Sequence, residues 1–239
     1  MGNLKSLFAE HDAVVFFDTE TTGTEADACQ IIELAAIRIV PDLHGEPIEL
    51  GRMDTFIRLP DGEKLPEKIV ELTGITDELL LSEGVSPEEA ADIIENLMRG
   101  RSVLMCAHNG QFDACFLRNL LRGRKFQTVI HWLDSLTVYK DRRPYPHKLA
   151  NAITAYGLDD KVQNSHRAID DVLALFEVVK AMDEERDDLA EYINIFGFNP
   201  KYGVNGRMVR GVTYVGQSFH NSIAPPNMTL PAFVSSWKK

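Results

Sequence analysis

Apolar and polar positions along this chain follow two rhythms, one suited to strands and one to helices. The run Ala13-Val14-Val15-Phe16-Phe17 is apolar without a break and stops at Asp18. A strand covered on both faces reads this way, so the run predicts a central strand. Ile31 to Val40 predicts a second strand. Met53 to Leu59, which mixes β-branched and aromatic residues with polar ones, predicts a third. The connections holding Gly23 and Gly45 are short, which suits antiparallel neighbours. Val103–Ala107 and Val129–Leu133 supply a fourth and fifth strand.

The helical rhythm dominates the rest. Leu65 to Leu72 reads as a short helix broken at Thr73-Gly74. Ser86-Pro87-Glu88-Glu89 is a helix start with Ser at the N-cap, Pro at the first position and Glu at the third. That helix is expected to run to about Arg99, where Gly100 stops it. Further helices are expected over Gln111–Leu121, His147–Tyr156 and Arg167–Met182. In the last, Ala168, Val172, Leu175, Phe176 and Val179 recur at helical spacing and mark a core face. Beyond Ile195 no regular period persists. Strands first and helices after predict one α/β domain over residues 1–198, followed by an extension over 199–239.

Composition adds little to this outline, and charge adds more. With 239 residues, 44% of them hydrophobic, the chain suits a folded domain. It has no apolar run of the ~18 residues a membrane span needs and no apolar N-terminal leader, so a cytoplasmic protein is expected. The Met-Gly start followed by Ser6 only loosely matches a myristoylation pattern, and no second anchor accompanies it. Cys29, Cys106 and Cys115 lie far apart and read as reduced thiols rather than disulfide or zinc ligands. The net charge is −11, yet residues 192–239 hold five Lys and Arg and no acid. Extensive duplex binding by phosphate neutralisation is therefore not expected, whereas gripping a few nucleotides needs no such footprint.

Three clusters carry candidate chemistry. In Asp18-Thr19-Glu20-Thr21-Thr22-Gly23 the two acids lie two apart at a strand end, so their side chains share a face. Close carboxylates in a partly buried site repel, and a hard divalent cation, Mg²⁺ or Mn²⁺, relieves that. In His108-Asn109-Gly110-Gln111-Phe112-Asp113 the acid falls in the first turn of a helix, where the macrodipole alone would account for it. If the fourth strand runs parallel to the first, Asp113 also sits at the ligand-binding edge of the sheet. In His166-Arg167-Ala168-Ile169-Asp170-Asp171 a helix begins after a polar loop. The adjacent acids point about 100° apart, so they cannot serve one site equally. Asp171 lies on the side reached by His166, and Asp170 reads as a solvated or capping acid.

Taken in order, FDTETTG, HNxxFD and HxAxxD resemble the motifs of the DnaQ-like exonucleases of the DEDD superfamily, in the branch that uses His. The resemblance spans about residues 12–182, and Leu72-Thr73-Gly74-Ile75-Thr76 resembles the stretch between the first two motifs. It implies an RNase H-like fold with a central five-stranded mixed sheet flanked by helices. It implies Asp18, Glu20, Asp113 and Asp171 as metal ligands and His166 as general base. It also implies contacts of Thr21, Leu72, Thr73 and Phe112 with the terminal nucleotide. The expected reaction is two-metal hydrolysis of the 3′-terminal phosphodiester of a single strand, DNA favoured over RNA, releasing 5′-mononucleotides. Proofreading or repair is the expected setting, with a polymerase or other protein as candidate partner, and RNA trimming is the alternative.

Two rivals come from the residues themselves. FFDTETT superficially resembles the DxDxT strand end of aspartyl phosphatases, but Glu20 departs from that pattern and no later lysine and acid pair is evident. A catalytically silent nucleic-acid-binding or scaffold module would have no reason to gather unpaired acids around an anionic ligand. The extension mixes Lys201, Arg207, Arg210, Lys238 and Lys239 with Tyr202, Tyr214, Phe219 and Trp237. It reads either as a surface that steers a single strand, as a strap packed on the domain, or as an anchor for a partner.

Overall fold

The computed structural model describes residues 2–162, 167–218 and 228–236. His166, the loop Gln163-Asn164-Ser165, and Phe219, Trp237, Lys238 and Lys239 of the extension lie outside the described residues. Five strands form one mixed sheet: β1 (Ala13–Thr21), β2 (Ile31–Pro41), β3 (Pro47–Phe56), β4 (Ser102–Ala107) and β5 (Val129–Asp134). Their order is β3-β2-β1-β4-β5. β1 is antiparallel to β2, which is antiparallel to β3, whereas β4 runs parallel to both β1 and β5. This is the expected five-stranded mixed sheet, and the parallel pairing on which the placement of Asp113 depended is present.

Strand alternation divides the core between the two faces of the sheet. Val14, Phe16, Ala35 and Ile37 pack on one face against α8 (Ala168–Glu185), α6 (Ser135–Arg142) and α7 (Leu149–Ala155). Val15, Phe17, Leu34 and Ala36 pack on the other against α4 (Pro87–Leu97) and α5 (Gly110–Leu120). All five residues from Ala13 to Phe17 are fully buried, as their unbroken apolar run predicts. A third, smaller cluster joins Ile32 to Leu65, Ile75 and Leu80 beneath α2 (Glu67–Thr73) and α3 (Asp77–Glu83). At the N-terminus, α1 (Lys5–Phe8) adds Leu7 to the first face.

Several boundaries differ from the sequence reading. β3 begins at Pro47 and ends at Phe56, because its exposed positions at Glu49 and Leu50 hide an edge strand that pairing with β2 nevertheless holds. α3 and α6 were not expected. Both open on side-chain caps, Thr76 accepting from the Leu79 amide at 3.2 Å and Asp134 accepting from Leu136 and Thr137 at 3.2 Å. The capping box of α4 forms as read, with Ser86 Oγ accepting from the Glu89 amide at 3.1 Å and Glu89 Oε2 from the Ser86 amide at 2.8 Å. α4 stops at Leu97 rather than Arg99, and α7 starts at Leu149 rather than His147.

The aperiodic C-terminal stretch also contains structure. A 3₁₀ turn at Leu189–Tyr192 leads into β6 (Ile195–Phe198), which pairs in parallel with β7 (Thr213–Gly216), and α9 (Leu230–Ser236) follows. Asn194 carries the chain onto the edge of the main sheet: its amide donates to the Trp132 carbonyl at 2.7 Å and its side-chain oxygen accepts from the Trp132 amide at 3.0 Å. Gln217 is fully buried and donates to the Thr137 carbonyl at 2.9 Å. Gly197 is required here, because a Cβ at that position would overlap the Gln217 side chain. No described helix is long and apolar enough to cross a membrane.

One buried acid ties the two halves together. Asp134, only 3% exposed, accepts from the amides of Asn109 and Gly110 at 3.0 Å each, besides capping α6. Two helix starts therefore rest on one carboxylate. Replacing Asp134 by Ala removes both caps and strands buried amides, so it should cost about 2–4 kcal/mol. Urea denaturation should show this as a lower midpoint with an unchanged slope.

Candidate active site

β1 outruns its parallel neighbour. Its pairing with β4 ends at Phe16 and Cys106, while β1 itself continues to Thr21 beside β2. Along this overhang the alternation set by the core continues. Asp18 and Glu20 follow Val14 and Phe16 onto the α8 side, while Thr19 follows Val15 and Phe17 onto the α5 side. A register shift between Glu20 and Thr21 ends the regular ladder.

Each face then meets a helix start carrying an acid. Asp171 lies in the first turn of α8, is 9% exposed, and brings a carboxylate oxygen within 4.8 Å of those of Asp18 and Glu20. Asp170 is not part of that group among the described residues. Asp113 lies in the first turn of α5 and approaches from the other face. Its Oδ1 accepts from the Thr19 amide at 3.2 Å and from Thr19 Oγ1 at 2.7 Å. That amide is available because β4 has already ended. Asp113 thus grips the overhang of β1 directly.

The electrostatics follow from the crowding. Burial pushes the Asp18 carboxyl well above its ordinary range, and the charges of Asp113, Asp171, Glu20 and Glu33 push it further. Glu20 is raised to about 8 by burial and then by Asp171, Glu33 and Asp113. Asp113 is raised to about 7 by burial, against the hydrogen bonds from Thr19 that favour its charged form. Several acids that resist ionising together, with oxygens converging on one point, are a donor set suited to a hard divalent cation.

Thr21 is buried, and its hydroxyl donates to the Gly23 carbonyl at 2.7 Å, closing the turn beside the site. Gly23 lies so close to Cys29 that an added Cβ would come within 2.8 Å of its sulfur. Leu72 is 55% exposed at the end of α2, while Thr73 is buried and its hydroxyl is engaged by the Ile69 carbonyl and the Ile75 amide. Phe112 is half-buried against Phe116, with ring centroids 4.9 Å apart.

One buried acid beside the cluster escaped the sequence reading. Glu33, fully buried, is the cross-strand partner of Glu20. Its Oε1 accepts from Arg167 Nε at 3.0 Å and lies 2.9 Å from the other guanidinium arm, while Oε2 accepts from the Ala168 amide at 3.2 Å. Arg167 also lies over the Phe56 ring at 5.0 Å. The start of α8, and with it Asp171, is therefore clamped to β2. A signal for this existed in IIELAAIRIV, where an acid interrupts the core-facing positions and so demands a buried partner.

The exonuclease (RNase_T) family model matches residues 15–179. The chain is 30% identical over 184 residues to the DNA polymerase III subunit epsilon of Treponema pallidum, covering 74% of this chain and 80% of that one. It is 43% identical over 189 residues to the PolC-type DNA polymerase III of Halalkalibacterium halodurans, covering 73% of this chain but 12% of that protein. The zinc-bound exonuclease I of E. coli, solved as a complex with single-stranded DNA, superposes with a TM-score of 0.65 at 23% identity, over 77% of this chain and 43% of that one.

Raised carboxyls disfavour the charged form in the fold, so the unfolded chain releases protons first as pH rises. For Glu20 and Asp113 stability is therefore lost between the ordinary carboxylate range and about pH 7–8. The metal-free protein should melt at a lower temperature at pH 8 than at pH 5. Added Mg²⁺ or Mn²⁺ should recover the difference, which calorimetry at the two pH values would show. With an RNase H-like sheet, these acids at its edge and relatives of this kind, the chain belongs to the DnaQ-like 3′-to-5′ exonuclease family of the DEDD superfamily.

Proposed function

We propose that this protein removes nucleotides from the 3′ end of a single strand, with DNA preferred to RNA, and releases 5′-mononucleotides. The convergence of Asp18, Glu20 and Asp171 within 4.8 Å, with Asp113 closing the other side, carries the reading. Asp18, Glu20 and Asp171 would hold a first divalent cation, Asp18 would share a second, and Asp113 would contribute directly or through water. When bound, Mg²⁺ or Mn²⁺ supplies the charge that lets these acids ionise together, activates water and stabilises the departing 3′ oxygen.

The chain's own residues supply the remaining steps. His166 directly precedes Arg167, the residue clamped by Glu33 and Phe56, and in its neutral form it accepts the proton of the attacking water. Thr21, at the end of β1, together with Leu72, Thr73 and Phe112 would receive the terminal nucleotide. DNA is favoured because the relatives are named as a DNA polymerase III epsilon subunit and a PolC-type DNA polymerase III, and the exonuclease I structure holds single-stranded DNA. The names of the same relatives support a polymerase as partner, and we propose proofreading or repair in the cytoplasm as the setting.

Asp18→Ala or His166→Ala should lower Mg²⁺-dependent shortening of a 5′-labelled strand by about 10²- to 10⁴-fold with the fold intact. Full activity in either variant rejects the assignment, and matched RNA and DNA strands in the same assay decide the preferred sugar. Glu33→Gln should lower kcat about 10- to 100-fold while KM changes little, because it loosens the clamp beside His166 without touching substrate. An unchanged kcat would show that the clamp serves stability alone.

A further inference from the structure

Next to the acids, along the same edge of the sheet, lies a cavity of about 550 Å³. β1, β4 and β5 are parallel, so their C-terminal ends open on one side. The cavity sits over the ends of β4 and β5, bounded by His108 and Asn109, which directly follow β4, and by Lys140 of α6 and Lys148 at the start of α7. Asn109 and Gln111 line it, while Asp113, two residues beyond Gln111, points to the opposite side of α5, toward Thr19 of β1. β4 is the neighbour of β1 in the sheet, so the cavity lies beside the strand end that carries Asp18 and Glu20.

Its outer wall comes from residues beyond the part of the chain that matches the exonuclease family. Gly197, Phe198 and Asn199 at the end of β6, the loop at Gly203–Asn205, and Tyr214 of β7 form that wall. It is fastened at several points. Gly197 donates its amide to Thr137 Oγ1 at 2.7 Å, Gln111 Nε2 donates to the Asn205 carbonyl at 2.6 Å, and the Tyr214 hydroxyl donates to Gln111 Oε1 at 2.5 Å. The cavity is therefore a fixed feature of the fold.

The lining has a consistent chemical character. In a chain with 36 Asp and Glu, none of the described residues lining the cavity is an acid, and two are lysines. Tyr145, 58% exposed, and Phe198 offer aromatic surface, while Asn109, Asn199 and Asn205 bring amides. His108 is held toward its neutral form by burial, with its ring nitrogens engaged by Ser135 Oγ and the His147 carbonyl. Cations, exposed rings and amides without carboxylates suit phosphates and stacked bases.

We propose that this cavity holds the nucleotides just upstream of the reacting 3′ end, so that the 197–214 segment completes a single-strand path leading to the acids. The inference rests on the exonuclease reading above for its direction of travel. The binding chemistry itself is read from the cavity.

The test compares the wild type with a Tyr145→Ala/Lys148→Ala double variant, both positions being exposed. Fluorescence anisotropy in EDTA would follow 5′-labelled single strands from two to about a dozen nucleotides long, at several salt concentrations. For the wild type, affinity should rise with length. The double variant should lose about tenfold on the long strands and little on the dinucleotide, with a salt slope shallower by about 0.7. Equal affinity and slope in the two proteins overturns the proposal, as does an equal loss on the dinucleotide. A strand carrying 4-thiothymidine upstream of its 3′ end should photo-crosslink the wild type near Tyr145 or Phe198, whereas crosslinks confined to α2 and α3 also overturn it. Hydrolysis of thymidine 5′-monophosphate p-nitrophenyl ester, too short to reach the cavity, tests the exonuclease reading in the wild type separately. If that fails, the anisotropy comparison still decides the cavity.

Discussion

Like charges held close together at a strand end are the constraint around which this molecule is arranged. Three carboxylates converge where β1 emerges from the sheet, Asp113 adds its charge from the other face, and both desolvation and mutual repulsion oppose their ionisation. Nothing in the cluster holds itself together. It is assembled from outside, by a fully apolar strand that fixes Asp18 and Glu20, a clamp that fixes the start of α8, and a threonine that fixes Asp113. The stability of the core is used to hold an arrangement that is locally unfavourable, which is common where a fold prepares to bind a cation.

The external supports differ in kind. Glu33 and Arg167 form an ion pair whose acid is fully buried, and such pairs contribute less to net stability than to holding one geometry. Thr19 meets Asp113 through both its amide and hydroxyl, so backbone and side chain act together. Asp134 supports the start of α5 from beneath and the start of α6 beside it. The acid cluster and the neighbouring cavity therefore share one buried anchor, although they use different side chains.

How much of this was legible in the sequence depended on the range of the interaction. The apolar run of β1, the Ser86 capping box and the helical spacing of α8 are local patterns, and the elements form where those patterns lie. The choice of Asp171 over Asp170 rests on motif register, with helix geometry, which separates adjacent side chains, in support. The partners of Glu33 and Asp134 lie far along the chain, at 167 and at 109–110, and no local pattern names them. β6 and β7 were missed because four-residue strands rich in Gly and aromatics carry no period, and their parallel pairing across a long connection is a tertiary fact. Gln163–His166 lies outside the described residues, so the proposed role of His166 rests on the motif alone.

The overhang of β1 beyond β4 has a consequence for how the protein tolerates change. Because side-chain direction alternates residue by residue, inserting a single residue between Phe17 and Asp18 would turn both acids toward α5 and Thr19 toward α8. Composition would be almost unaltered, and the core before Phe17 could remain packed. The site is thus encoded as parity as much as chemistry. Point substitutions in the overhang grade its function, whereas a change of length by one abolishes the constellation outright.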